Sequence, residues 1–122
     1  MKYLIIAAAL LLPTPALAEG MDVIQVKLKP GCDVTTYMAI MTDFNKTWGK
    51  AHGYSAQLAI PVHHTDLTTL IWIGTTANAE TFGKAWDAWR DAQSDTNSVA
   101  AKIQARFTAC SENTSRRSYD VF

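Results

Sequence analysis

The stretch that decides the fold is LTTLIWIGTTANAETFGKAWDAWR, residues 67–90. Its first part, residues 67–75, is rich in β-branched and aromatic side chains and predicts a strand. Asn78 is a favourable N-cap for a helix that follows. The apolar residues of that helix recur at spacings of three and four, as one face of a helix requires: Phe82, Ala85, Trp86 and Trp89. We therefore predict a strand followed by an amphipathic helix.

Two further strands are predicted before this stretch. Residues 21–29 alternate between apolar and polar positions, with Gln25 and Lys27 on the polar face, which is typical of a half-buried strand. Residues 54–62 alternate in the same way and place Gln57 on their polar face. We expect the strand at residues 54–62 to form a hairpin with the strand at residues 67–75 through a polar turn at residues 63–66. The apolar face expected to pack against the helices carries Ile24, Val26, Leu28, Leu58 and Ile60.

The segments between these strands predict helices. Asp33 is a good N-cap for a first helix that ends near residues 49–53. The apolar stripe of this helix is Val34, Tyr37, Met38, Met41, Phe44 and Trp48. The second helical region breaks at residues 91–97 and continues through Phe107. Residues 111–115 look like a turn, and residues 116–122 alternate weakly, as expected of a terminal strand.

The predicted order of elements is β-α-β-β-α-β. This order indicates an α+β protein of the ferredoxin-like type, with a four-stranded antiparallel sheet and both helical regions on one face. Helical spacing also favours core packing over a ligand-binding role for Trp48, Trp86 and Trp89.

Residues 1–18 contain the three parts of a cleavable secretory signal peptide: Lys2, an apolar run over residues 4–12, and small residues up to Ala18. We expect cleavage after Ala18, one mature domain over residues 19–122, and a periplasmic or secreted location. A membrane anchor is disfavoured because the apolar run is shorter than the ~20 residues that span a bilayer.

The two cysteines of the chain are Cys32 and Cys110. An even number of cysteines in an exported protein favours pairing. The predicted topology places both at the same end of the sheet, because the first and last strands are antiparallel neighbours. We therefore expect a disulfide between Cys32 and Cys110, with two separate buried thiols as the alternative. The pair lacks the ligand spacing of a zinc site, and we expect no bound metal.

Composition narrows the class of partner. The chain has 11 Lys and Arg against 11 Asp and Glu, and these charges are scattered along it. A nucleic-acid partner is therefore not expected, since such proteins concentrate positive charge. The sequence has neither a glycine-rich phosphate loop nor a nucleophile elbow, and we expect no cofactor.

Residues 70–74 (LIWIG) and the pattern F-x3-W-x2-W at residues 82–89 resemble the dimeric α+β barrel superfamily, which includes antibiotic-biosynthesis-type monooxygenases and stress-responsive proteins. The resemblance implies a homodimer whose two sheets pair face to face around a cavity, with the helices outside. In the monooxygenase branch it implies oxidation without a metal or prosthetic group, by Asn and Trp with either Tyr or His. Trp72 fits that arrangement, whereas Gln25 stands where the first strand would carry Asn.

The leading hypothesis is a binding protein for a small-molecule ligand. Its pocket would be drawn from Gln25, Lys27, Gln57, His63, Trp72 and Tyr119. Histidine can donate or accept a proton near neutral pH, yet an exposed polar turn would also explain His63 and His64. The alternatives are a cofactor-independent monooxygenase acting on an aromatic or polycyclic molecule, and a structural or interaction domain without a ligand. The sequence leaves open whether the protein is an enzyme.

Overall fold

The structure, a computed structural model, describes residues 18–122. The predicted signal peptide lies outside this range except for its last residue, Ala18. Within residues 18–122 no helix is both long enough and apolar enough to cross a membrane.

The four strands form one antiparallel sheet in the order β2-β3-β1-β4. Their bounds are Glu19–Leu28 for β1, Tyr54–Ala59 for β2, Thr69–Thr76 for β3 and Ser111–Val121 for β4. The helices follow the first and third strands, and their apolar residues pack on a single face of the sheet. The predicted ferredoxin-like α+β fold is thus confirmed. We call the sheet face under the helices the inner face and the opposite one the outer face.

The first helical region is longer and less regular than one α-helix. Helix α1 (Val34–Phe44) begins where the Asp33 side chain accepts a hydrogen bond from the Thr36 backbone N–H over 2.7 Å, as predicted for an N-cap. It continues without a break into a π-helical segment, Asn45–Gly49, and a final turn, α2 (Lys50–His52). Gly53 ends the region with φ of +64°, a conformation that glycine adopts without strain.

The second helical region consists of two helices, α3 (Ala79–Ala92) and α4 (Val99–Cys110). Asn78 caps α3 by accepting a hydrogen bond from the Thr81 N–H, and Ser98 caps α4 in the same way. The predicted break at residues 91–97 is confirmed and lies at residues 93–98.

Two predictions at element ends are wrong. Residues 111–115 are not a turn: β4 begins directly after Cys110, and Ser111 already pairs with Leu28. A register shift between Gln25 and Val26 leaves Thr114 on β4 without a paired residue on β1, as in a β-bulge. Strand β2 ends at Ala59, so Ile60 lies outside the sheet and is half exposed instead of buried.

The core lies between the inner face and the helices. Strand residues Ile24, Val26, Leu70 and Trp72 are buried there against the helical stripe, as the alternating pattern predicts. One member of the predicted stripe differs, because Met38 is exposed and Ile40 is buried in its place. Trp48 lies within the π-helical segment and is buried in the core.

The predicted disulfide between Cys32 and Cys110 is present, with the two Cα atoms 5.2 Å apart. It joins the loop after β1 to the end of α4, where the backbone N–H of Lys29 also donates to the Cys110 carbonyl. The cross-link spans 78 residues of sequence. The chain-entropy model gives a loop of this size about 4 kcal/mol of stabilisation.

Candidate functional site

A cavity of about 200 Å³ lies between the inner face and the helices. Most of its wall is aromatic, and we call it the aromatic cavity. Its lining consists of Asp22, Ile24, Tyr37, Phe44, Trp48, Tyr54, Trp72, Phe82, Trp86, Trp89, Gln104, Phe107, Asn113 and Arg116. The exposed members of this lining are Asn113 and Arg116 on β4, so the cavity opens to solvent beside that strand.

The aromatic side chains hold one another in place around the Phe44 ring. The ring centroid of Phe44 lies 5.2 Å from that of Trp72 and 5.6 Å from that of Trp89, both in edge-to-face geometry. Trp48 and Trp89 are likewise in edge-to-face contact at 4.9 Å. Such pairs stabilise a cluster beyond the area that they bury. Trp48 therefore belongs to the core, as predicted, and Trp89 packs against it, whereas Trp86 is only partly buried and lies outside the core cluster. All three line the cavity.

Asp22 is a carboxylate on the lining of this cavity, and it has no exposed surface. It lies on β1 in phase with Ile24 and Val26, so the strand directs it toward the helices. A buried carboxylate requires hydrogen-bond donors and a positive partner. Asp22 has both, from Tyr54 and Arg116.

Tyr54 reaches Asp22 across the intervening strand β3. Gly74 on β3 pairs with Asp22 on one side and with Ala56 on the other. A Cβ atom at position 74 would overlap the Tyr54 hydroxyl, so the missing side chain leaves room for this ring. The Tyr54 hydroxyl donates to Asp22 Oδ2 over 2.8 Å.

Trp72 extends the hydrogen-bonded chain by one member. Its indole Nε1–H donates to the Tyr54 hydroxyl oxygen over 2.9 Å, and both groups are buried. The order of donation is Trp72 to Tyr54 to Asp22, with every proton directed toward the carboxylate. Tyr54 is thus a neutral donor, and its hydroxyl proton forms the hydrogen bond to Asp22.

Arg116 completes the site from the edge strand β4. Its Nε donates to Asp22 Oδ1 over 2.9 Å and its Nη2 to Oδ2 over 2.6 Å, a two-pronged pairing that fixes the guanidinium plane. The guanidinium lies over the Trp86 ring at 3.9 Å from the ring centroid, in cation–π geometry. The Arg116 side chain is 33% exposed, whereas its partner Asp22 is sealed.

Burial changes the acidity of the two tyrosines in the cavity. Desolvation raises the pKa of the Tyr54 hydroxyl well above its ordinary value, and the negative charge of Asp22 raises it further. Desolvation likewise raises the pKa of Tyr37. Both hydroxyls are therefore protonated throughout the neutral range.

Tyr37 on α1 contributes a hydroxyl to the cavity that is free to bind a ligand. Its side chain is 3% exposed and lines the cavity, and within residues 18–122 its hydroxyl makes no hydrogen bond. The amides of Gln104 and Asn113 lie on the same lining. A bound molecule could receive hydrogen bonds from these three groups without disturbing Asp22.

The residues predicted to form a ligand pocket lie in three different places. Gln25, Lys27 and Gln57 are exposed on the outer face, where Tyr119 pairs with Met21. Trp72 points to the inner face and lines the aromatic cavity. His63 lies in the exposed connection between β2 and β3. The structure therefore brings four of the six onto one face and separates Trp72 and His63 from them.

Two of the histidines, His52 and His64, contact backbone groups of their own loop or helix end. His64 Nδ1 accepts from the Asp66 N–H within the β2–β3 connection, and His52 Nδ1 lies 2.9 Å from the Trp48 carbonyl oxygen at the helix end. Among residues 18–122 no three side chains of His, Cys, Asp or Glu are grouped as a metal site would require.

Sequence reasoning missed Asp22, Tyr54 and Arg116 as site residues. The signal for the first two was present, because Asp22 is in phase with Ile24 and Tyr54 is in phase with Ala56. A carboxylate on the buried side of a strand indicates a buried polar network. The position of Arg116 could not be predicted. With a turn expected at residues 111–115, its pairing with Ile24 on β1 could not be foreseen.

No family model matches the sequence, and no curated protein matches it. Solved structures do match the fold. SnoaB, a cofactor-independent oxygenase from Streptomyces nogalater, is 8% identical over 86% of this chain and 94% of its own, with a TM-score of 0.57. A hydroxynitrile lyase from Passiflora edulis is 14% identical over 88% of this chain and 96% of its own, with a TM-score of 0.55. A structural-genomics protein, YjcS, is 10% identical over 86% of this chain and 100% of its own, with a TM-score of 0.54.

At these identities the likeness concerns the fold alone. This chain has the ferredoxin-like α+β fold of these neighbours. The resemblance predicted from residues 70–89 is confirmed at the level of fold.

Proposed function

We propose that this protein is an exported binding protein for a small, largely apolar molecule held in the aromatic cavity. The observation that carries the proposal is the cavity itself, walled by aromatic rings and ending at a buried polar chain. Ligand sites in proteins typically combine an apolar concave wall with a few fixed polar groups. The aromatic cavity has both parts.

The fold by itself does not decide between chemistries. SnoaB is described as an oxygenase and the Passiflora edulis protein as a lyase, although both share this fold. Function therefore has to be argued from the residues of the site. Here those residues are mostly apolar rings, and the one buried carboxylate is already paired with Arg116.

Export is the second part of the proposal. It is supported by the signal-like pattern of residues 1–18 and by the disulfide, since disulfides persist in oxidising compartments. Expression of the full chain in a bacterium tests it by intact-mass measurement of the periplasmic fraction. The expected product begins at Glu19 and is two hydrogens lighter than the reduced chain. A cytoplasmic product that retains residues 1–18 would contradict export.

Binding is tested by titrating the purified mature protein with a panel of small aromatic molecules, followed by isothermal calorimetry and native mass spectrometry. We expect saturable binding of one molecule per chain. Asn113→Trp should abolish binding, because Asn113 lines the open side of the cavity and a large ring there would fill it. Ala105→Trp is the matched control, since it adds the same ring at an exposed position outside the lining. Equal ligand binding by both variants would contradict a binding site in the aromatic cavity.

A second candidate, a cofactor-independent oxygenase, is favoured by one observation. Trp72, Tyr54 and Asn113 line the same cavity, and Asn, Trp and Tyr are the residue types implied by the monooxygenase resemblance. An oxygen electrode tests it with a quinol substrate, for which the reaction would use one O₂ and release one water per oxidised product. Oxygen uptake that is lost in Trp72→Phe would support the candidate. Uptake no faster than in buffer would leave binding as the sole proposed function.

A further inference from the structure

The aromatic cavity contains one acidic and one basic side chain, and each neutralises the other. Of the fourteen lining residues only Asp22 and Arg116 carry a charge, and they share two hydrogen bonds of 2.9 and 2.6 Å. The third hydrogen bond to Asp22 comes from Tyr54, which is neutral. The cavity is therefore uncharged as a whole.

Arg116 occupies the place that a cationic ligand would take. Ammonium groups bind over tryptophan faces and beside carboxylates. Here the Trp86 face and the Asp22 carboxylate are both covered by the Arg116 guanidinium. An amine entering the cavity would find no free counter-charge, and burying an unpaired charge is costly. A ligand carboxylate would also find no free counter-charge, because the Arg116 guanidinium is already paired with Asp22.

Size and free polar groups narrow the ligand further. An apolar cavity of about 150 Å³ holds benzene, so a cavity of about 200 Å³ has room for one or two rings. Tyr37 is buried, lines the cavity and has no hydrogen-bond partner within residues 18–122. It can donate to, or accept from, one oxygen of a bound molecule.

We infer that the aromatic cavity selects an uncharged one- or two-ring aromatic molecule bearing a hydroxyl or carbonyl oxygen, and that Arg116 enforces this by occupying the cation site formed by Asp22 and Trp86. The inference rests on the proposed binding function and specifies its ligand class. It favours one- and two-ring molecules over larger polycyclic molecules on the grounds of volume, and it makes Arg116 a specificity residue.

Calorimetry with three matched ligands tests the inference: 2-naphthalenemethanol, 2-naphthoate and 2-naphthylmethylamine, which differ mainly in charge. The wild-type mature protein should bind the alcohol at least about tenfold more tightly than either charged analogue. The three-ring alcohol 9-anthracenemethanol should bind more weakly than 2-naphthalenemethanol. If a charged analogue binds as tightly as the alcohol, the inference is overturned and the proposed function stands. If none of the panel binds, both fail.

Variants of the ion pair test the role of Arg116. Arg116→Gln leaves the Asp22 carboxylate without its cation, so the amine should now bind more tightly than the alcohol. The double variant Asp22→Asn, Arg116→Gln removes both charges and should restore the preference for the alcohol. It also preserves the test if the single variant fails to fold. Arg117→Gln on the outer face is the matched control and should behave as wild type. An unchanged preference in folded Arg116→Gln would overturn the role of Arg116.

Discussion

The space that a side chain at position 74 would occupy is taken by the ring of another residue, Tyr54. The Tyr54 ring lies where a Cβ atom of residue 74 would be, and from there its hydroxyl spans the distance between β2 and Asp22 on β1. Glycine within a strand normally weakens it. In this sheet Gly74 makes the contact between two other strands sterically possible.

Gly74→Ala should therefore displace Tyr54 and break its hydrogen bonds to Asp22 and Trp72. We expect a loss of about 1–3 kcal/mol in the free energy of unfolding, the usual effect of overpacking a core. Urea denaturation followed by tryptophan fluorescence measures it. Gly83→Ala is the matched control: no atom lies within 4 Å of the added Cβ, and a helical Gly→Ala change stabilises by about 1 kcal/mol. Equal stability of the two variants would contradict the role of Gly74.

The raised pKa of Tyr54 makes stability depend on alkaline pH. In the unfolded chain a tyrosine loses its proton near pH 10, whereas burial and Asp22 hold the proton in the folded chain. Above pH 10 the folded state thus binds more protons than the unfolded state, and the free energy of unfolding falls as pH rises. Below pH 10 this contribution is fully present.

We predict that Tyr54→Phe weakens this alkaline decline. Urea midpoints measured from about pH 8 to about pH 11 should fall less steeply above pH 10 in the variant than in wild type. The slope is the relevant quantity, because the variant also loses two hydrogen bonds and is less stable at every pH. The residual decline should reflect Tyr37, whose pKa is raised by burial too. Parallel slopes in the two proteins would rule out the assignment to Tyr54.

At the scale of elements, alternation and capping residues predicted most of the architecture. The N-caps Asp33 and Asn78 begin helices as expected, and β1 and β3 follow the alternating pattern. The π-helical segment Asn45–Gly49 could not be predicted, because a 3.6-residue stripe gives no sign of one widened turn. What holds this segment is a tertiary contact with β2, which local sequence does not contain.

That contact is made by Asn45 with the free edge of β2. Its Nδ2 donates to the Ala56 carbonyl over 2.9 Å, and its Oδ1 accepts from the Ala56 N–H over 2.8 Å. Because β2 is an edge strand, these two backbone groups have no strand beside them to pair with. The Asn45 side chain thus makes the two hydrogen bonds that a neighbouring strand would otherwise make with Ala56.

Asn45→Ala should cost about 1–3 kcal/mol of stability, because it leaves both partly buried groups of Ala56 unsatisfied. Chemical denaturation measures the loss, and amide hydrogen exchange at Ala56 should accelerate relative to the rest of β2. Lys46→Ala, at the exposed neighbouring position, should stay within about 0.5 kcal/mol of wild type. Unchanged exchange at Ala56 would show that the edge is protected by other means.

At the scale of the whole molecule, the outer face carries an apolar patch among its polar residues. The residues foreseen there were Gln25, Lys27 and Gln57, yet Ile71 and Ile73 on the central strand β3 lie between them. Both isoleucines are partly exposed, together with Met21 and Val23 on β1 and Tyr119 on β4. Alternation along β3 already requires one large apolar side chain on this face, since Ile71 and Trp72 point to opposite sides. The full extent of the patch depends on strand order, which decides which side chains become neighbours.

We predict that two copies of the chain pair through this face as a homodimer, covering the apolar patch. Light scattering of the mature protein should give the mass of two chains. Ile73→Lys should give the mass of one chain, because it places a charge at the centre of the patch. Ala51→Lys adds the same charge on the helical side and should leave the mass unchanged. A wild-type mass of one chain at high concentration would contradict the dimer.

The bond between Cys32 and Cys110 turns the chain into a covalent ring with two tails. The ring contains every helix and the β2–β3 pair, while β1 and β4 leave it from nearly the same point. Asp22 lies on one tail and Arg116 on the other, so their ion pair clamps the tails together beyond the ring. A protease that cuts once at the exposed residues 62–65 would therefore release no fragment. The nicked protein would migrate as one species on a gel until a reductant opened the ring.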